Sequence, residues 1–289
     1  MKLEIESTNY GAELLSIKLN GVEKLHQGAK VLNNSGEIYW KRHSSVFFPI
    51  VGRLKDDKCV INKKSYCIPQ HGFARDIEFE VLEKNNIFHS YVLKNDENTK
   101  RMYPFKFELY VSYLVNGNTL MVKYKVVNKD RKEMLFGIGG QPAFICNVPS
   151  ENYYIEFEKE EKNLKILRAQ RGLSVDNNSL INQDVIQDGK IIPLHKDIFD
   201  FDTIILENLD SNNLYLKSKE ENREILKLRF NKFPYISIWS KPNAPFIAIS
   251  PSYTISDKKE SDNDFSKKEN IIHLKSKEEF ECSYYITFS

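Results

Sequence analysis

The sequence predicts an all-β chain, folded as a large antiparallel β-sandwich. Three observations lead to that expectation. Short runs alternate apolar and polar residues with period two, as half-buried strands do. Asn, Gly and Asp punctuate these runs as turns. No stretch shows a sustained 3.6-residue periodicity, so no long amphipathic helix is expected.

Taken in order, Leu3-Glu-Ile-Glu-Ser7 and Leu14-Leu-Ser-Ile-Lys-Leu19 are the first two strands. Phe105 to Tyr113 alternates strictly, Asn116-Gly117-Asn118 turns the chain, and Leu120 to Val127 runs back. Strand, turn and strand make an antiparallel hairpin. Tyr153-Tyr-Ile-Glu-Phe157, Tyr235-Ile-Ser-Ile-Trp239 and Tyr284-Tyr-Ile-Thr-Phe288 follow the same rule. Residues 158–190 are polar and mixed, and read as loop with scattered strands. The charge run over residues 256–270 reads as a solvated surface loop. No linker and no repeat divides the chain, so one domain over residues 1–289 is expected.

Composition excludes several classes of function. Hydrophobic residues make up 41 % and charged residues 28 %, enough to bury a large core and too apolar for disorder. A net charge of +2 lacks the concentrated basic face of a nucleic-acid or membrane-surface protein. No run approaches the roughly 20 apolar residues of a membrane span, and the interleaved charges of Met1-Lys-Leu-Glu-Ile-Glu6 leave no apolar signal core. The four cysteines, Cys59, Cys67, Cys146 and Cys282, form no C-x-x-C pair and no zinc spacing with histidine. Reduced thiols in a cytoplasm are expected, although Cys59 and Cys67 flank a short turn and could meet across a hairpin. Neither metal nor cofactor is expected, and the chain is read as a monomer or homodimer.

Four segments carry the chemistry. They are Phe48-Pro-Ile-Val-Gly-Arg-Leu-Lys55, Gln70-His-Gly-Phe-Ala-Arg75, Phe136-Gly-Ile-Gly-Gly-Gln-Pro-Ala-Phe144 and Phe246-Ile-Ala-Ile-Ser-Pro-Ser-Tyr253. Together they resemble the aldose 1-epimerase (galactose mutarotase) family, in its bacterial branch of uncertain substrate, over nearly the whole chain. The resemblance implies a galactose mutarotase-like supersandwich with a sugar cleft across one sheet. Mutarotation removes the proton of the anomeric hydroxyl while an acid protonates the ring oxygen, and each such group contributes about 10²–10⁴-fold.

The resemblance also assigns positions. It implies substrate contacts for Arg53, His71 and Asp202, and it places the family's acid at Gln141 and its base at Ser250. The branch carries His where this chain has Gln141, and Glu-Pro-Trp where it has Ser250-Pro251-Ser252. Glutamine can hold a hydroxyl but cannot act as an acid, and an unaided serine is a poor base. Gly139-Gly140 still admits a close approach of backbone to ligand. Each assignment has a structural alternative: an ion pair for Arg53, a satisfied turn histidine for His71, a backbone-bound glutamine at 141, and a turn carboxylate for Asp202. By strand alternation, Asp200 and Asp202 should face the same side. Arg75 reads as a loop brace to Asp76 or Glu78, His43 as structural, Tyr253 as a half-buried strand-end residue or a replacement for some of the lost aromatic surface, and Trp40 and Trp239 as walls of the cleft or core, with core preferred.

The expected function is therefore binding of a small-molecule sugar with mutarotation weak or absent. The alternative is an active epimerase in which His71 and Asp202 have taken over proton transfer. A phosphorylated sugar would suit the basic residues Lys41, Arg42, Arg53 and Lys55. A protein-interaction module and a glycoside hydrolase are the remaining classes, and the hydrolase would need two carboxylates flanking the scissile bond.

Overall fold

In the computed structural model, residues 2–146, 152–170, 172–176, 185–195, 197–221 and 223–289 are described. Two large antiparallel sheets dominate. The first has nine strands in the spatial order Ile191–Pro193, Tyr153–Phe157, Asn213–Ser218, Arg223–Arg229, Glu279–Phe288, Thr119–Asn128, Phe107–Asn116, Phe88–Lys94 and Glu80–Lys84. The second has seven, in the order Leu173–Asp176, Lys165–Gln170, Ile204–Glu207, Tyr235–Trp239, Phe246–Ser252, Gly139–Ile145 and Ser44–Phe47. This is the all-β sandwich expected from the period-two runs.

The expected hairpin is the centre of the first sheet. Its register runs from Phe107 opposite Asn128 to Asn116 opposite Thr119, leaving Gly117 and Asn118 as the turn. Alternate residues Leu109, Val111, Tyr113, Leu120, Val122, Tyr124 and Val126 are buried, while Lys123 and Lys125 reach glutamates on the outer face.

The same alternation explains the second sheet. Ile204, Leu206, Ile236, Ile238, Ile247, Ile249 and Phe144 join the first sheet's buried residues in one continuous core. Their neighbours Ile205, Ser237, Trp239, Ala248, Ser250 and Gln141 therefore point to the opposite face. That second face forms the floor of the cleft described below.

Three expectations need correction. The charge run over 256–270 is not simply solvated: Phe265 is fully buried, and Lys268 Nζ meets Asp257 Oδ1 at 2.6 Å with both side chains buried. A lone buried charge is costly, so these two groups are buried as a pair. Asp257 also receives the Lys55 N–H through Oδ2 and donates its own N–H to Arg53 O, which ties this segment to residues 53–55. Second, Cys59 lies opposite Tyr66 while Cys67 lies opposite Lys58, so the two thiols are out of register. Cys59 is buried, Cys67 is exposed and both are free; burial pushes the Cys59 thiol up to about 12, which leaves it protonated and unreactive. Third, Asp200 lies in a turn rather than a strand, so alternation does not relate it to Asp202. The expected loop with scattered strands over 158–190 holds Lys165–Gln170 and Leu173–Asp176; residues 171 and 177–184 lie outside the described residues. Among the described residues, no helix is long and apolar enough to cross a membrane.

Candidate sugar-binding cleft

The outward face of the seven-stranded sheet opens into a cleft of about 560 Å³. Its floor comes from four adjacent strands. Gly139 pairs with Ser252 and Ala143 with Ala248, a register that sets Gln141 level with Ser250. Ser250 pairs on its other side with Ser237, which in turn pairs with Ile205. Gln141, Ser250, Ser237 and Ile205 all line the cleft as a single row across the sheet. Neither the Gln141 amide nor the Ser250 hydroxyl hydrogen-bonds another described residue, so both are available to a ligand.

Gly140 explains why the floor can lie so close to the core. A Cβ added there would sit 2.3 Å from Tyr124 Oη and 2.8 Å from Tyr284 Oη. Only glycine lets the Gln141 strand settle onto these tyrosines.

One wall is built by Gln70 to Arg75. His71 has φ of 65°, and its ring stacks on Phe47 at 4.0 Å and 16°. Its Nδ1 accepts the Gly52 N–H at 3.1 Å, so the neutral ring carries its proton on Nε2. Burial, then Arg75 and Arg42, hold the ring's pKa well below the ordinary histidine range. His71 is thus a neutral donor at pH 7. Gly52 has φ of 73°, and any Cβ there would collide with Ser256. The backbone is held at that point because Arg53 N–H also bonds Ser256 Oγ at 3.1 Å.

Arg53 itself departs from expectation. Its guanidinium is exposed and forms a two-pronged pair with Asp57, at 2.7 and 2.6 Å, and it is not among the cleft-lining residues. Arg75 occupies the cleft instead. Its NH2 donates to Gln70 O at 2.7 Å, and its Nε lies 3.6 Å from Asp76 and makes no hydrogen bond. Burial and the neighbouring Arg42 lower its pKa to about 10. Arg42 also lines the cleft and binds Asp76 Oδ1 at 2.7 Å.

The opposite side is acidic and apolar. Asp202 lines the cleft with φ of 65°, and its Oδ1 accepts the N–H and hydroxyl of Thr203 at 2.8 and 3.1 Å. It is the one carboxylate among the described cleft-lining residues. Three strands separate the Ile204–Glu207 strand, which follows Asp202, from the Ser44–Phe47 edge beneath His71.

Trp40 and Trp239 stand edge to face at 5.7 Å and are walls of the cleft rather than core. His26 braces them, with Nε2 against Trp40 O at 3.1 Å and its ring on Phe246 at 4.3 Å. The sequence signal for this wall lies in Ala143, Ala244 and Ala248, small residues that leave room for indoles.

Two other residues follow structural roles. His43 does not line the cleft; its N–H and that of Ser44 donate to Glu13 Oε1. Burial pushes the Glu13 carboxyl up, but its contacts with His43 and Ser44 outweigh this and hold it low. Tyr253 packs between Phe233 and Phe280, each at 5.0 Å, so it adds nothing to the cleft. Ser252 is fully buried, and its hydroxyl has no hydrogen-bond partner among the described residues.

The family model for aldose 1-epimerases matches residues 1–265. The chain belongs to the aldose 1-epimerase family. Among this family member's relatives is the plasmid-encoded protein LacX of Lactococcus lactis subsp. lactis, 27 % identical over 296 residues, covering 99 % of this chain and 96 % of LacX. A galactose mutarotase related enzyme from Lactobacillus acidophilus superimposes with a TM-score of 0.88 at 30 % identity, over 99 % of this chain and 94 % of its own. A galactose mutarotase-like protein from Lactobacillus casei ATCC 334 gives 0.86 at 26 % identity, over 100 % and 97 %. The resemblance read from the four segments is thus confirmed across the chain.

Proposed function

We propose that this aldose 1-epimerase family member binds a carbohydrate and has lost most or all of its mutarotase activity. The observation that carries this reading is the floor pair: Gln141 and Ser250 stand level on adjacent strands, and neither has a titratable partner. An amide does not titrate near neutrality. A serine hydroxyl needs a neighbouring base to lose its proton, and Asp202 belongs to the stretch before the Ile204–Glu207 strand, two strand spacings or about 10 Å of sheet from Ser250. What remains is a binding surface. It has amide and hydroxyl groups on the floor, a histidine donor on one side, a carboxylate acceptor on the other, and two indoles to cover a sugar's apolar face. The reduced thiols suit a cytoplasmic role in carbohydrate metabolism.

Polarimetry of freshly dissolved α-D-glucose and α-D-galactose over a range of protein concentration tests the loss of catalysis, and equilibrium sugar titration tests the binding. Binding without acceleration supports the reading. Turnover within tenfold of a mutarotase carrying the usual His and Glu overturns it.

One observation favours a second reading. His71 and Asp202 both line the cleft, the first as a donor and the second as an acceptor. An active epimerase using this pair would lose its rate in His71→Asn, whereas the binding reading has no catalytic rate to lose.

A further inference from the structure

The cleft carries more positive charge than a neutral sugar requires. Lys41, Arg42, Arg75 and Lys241 all line it, against the single lining carboxylate Asp202. Asp76 serves Arg42 at 2.7 Å and approaches Arg75 Nε only to 3.6 Å. Setting Asp202, Asp76 and the Glu13 carboxylate that acts on Arg75 against the four cations leaves a net positive charge. Lys41 and Lys241 have no ion-pair partner among the described residues.

The arrangement is costly without an anion. Two guanidiniums, Arg42 and the largely buried Arg75, repel one another and share one carboxylate, Asp76. Two like charges in a site of reduced dielectric disfavour the free state. The neighbouring His71 is neutral and presents Nε2–H, which adds a donor without adding charge. Donors from planar guanidinium forks and an imidazole N–H match the oxygens of a tetrahedral anion. A phosphate monoester carries about −1.5 to −2 at pH 7 and offers three acceptor oxygens to these donors, against the single charge and two oxygens of a carboxylate.

We propose that the ligand of this cleft is a sugar phosphate, with its phosphate group held by Arg42, Arg75 and Lys41 on the His71 side. This inference rests on the carbohydrate-binding reading above and assigns the ligand class to that site. Asp202, Gln141 and Ser250 then remain free for hydroxyl groups.

The test is equilibrium binding of D-glucose and D-galactose, their 1- and 6-phosphates, D-glucuronate and inorganic phosphate to the full chain, followed by tryptophan fluorescence and calorimetry. At least one hexose phosphate is expected to bind tenfold or more tightly than its parent sugar. That advantage should shrink as salt rises from about 0.05 to 0.5 M, because ions screen the cation–phosphate attraction. Arg75→Gln should abolish it. Because Arg75 also braces Gln70, Lys41→Gln/Lys241→Gln provides a second variant on exposed side chains that make no such brace, and it should reduce the ratio of hexose phosphate to hexose affinity severalfold.

Equal affinity for a hexose and its phosphates would overturn this inference and leave the sugar-binding reading standing. Failure of every sugar and sugar phosphate to bind would overturn both. Tighter binding of glucuronate than of any hexose phosphate, or equal binding of inorganic phosphate and the best ester, would overturn the assignment to a sugar phosphate.

Discussion

His71 and Gly52 are joined twice: the His71 N–H donates to Gly52 O at 2.7 Å, and the Gly52 N–H donates to His71 Nδ1 at 3.1 Å. This reciprocal pair clamps two loops together and fixes the tautomer of the imidazole that faces the cleft.

A pH dependence of stability follows. His71, His26 and His89 all have pKa values lowered by burial. In the unfolded chain each titrates near 6.5. Between the lowered folded value and 6.5 the unfolded state binds more protons, so stability is full above about pH 6.5 and falls as the pH drops below it. Each group contributes at most about 1.4 kcal/mol per pH unit. His71→Asn keeps an acceptor for Gly52 and tolerates positive φ, so urea unfolding at pH 7 and pH 5 should show a smaller acid-induced loss in that variant. An unchanged loss would count against the assigned protonation state.

The chain has two tryptophans, Trp40 and Trp239, and both line the cleft. Intrinsic fluorescence is therefore a direct report of cleft occupancy. A ligand that binds there should shift or quench the emission, and Trp40→Phe and Trp239→Phe should each remove part of the response. Aromatic contact with the sugar should make Trp239→Ala weaken binding by about 1–2 kcal/mol, roughly 5- to 30-fold, as read by calorimetry.

On the proposed binding reading, placing an acid and a base at the two floor positions should confer mutarotation. In Gln141→His/Ser250→Glu, the two new groups sit level on adjacent strands of the floor. General acid–base catalysis is worth about 10²–10⁴-fold, so polarimetry should show a gain of at least 10²-fold over the parent chain on a sugar that it binds. Neither single variant should approach the double. A double variant that binds sugar without acceleration would mean that further groups have been lost.

Lys268→Met should destabilise the fold by about 3–5 kcal/mol, because Asp257 would remain buried without its cation. Denaturant midpoints measure this directly. Asp257 also holds the Lys55 and Arg53 backbone, so ligand affinity should fall as well.

Much of the fold was legible because period-two alternation is a local property. Leu3–Ser7, Leu14–Leu19, Tyr153–Phe157 and Tyr235–Trp239 have the bounds read from the sequence. Irregular segments were less legible. The 256–270 run looks uniformly polar, yet Phe265 and the Lys268–Asp257 pair lie inside, because partners distant in sequence surround them.

The identities of the floor residues were settled by the sequence alone: Gln141 is an amide and Ser250 a hydroxyl, and no fold can make either titrate near neutrality by itself. Side-chain direction was left to the tertiary structure. Arg53 turns outward because Asp57, four residues on, meets it with both carboxylate oxygens, while its backbone is held by Ser256 from a remote segment. Arg75 turns inward because Gln70 O and the approach of Asp76 hold it there. Trp40 and Trp239 become cleft walls because alanines on neighbouring strands and His26 make space and support for them. Each outcome depends on contacts between elements, whose placement only the packed sheets determine.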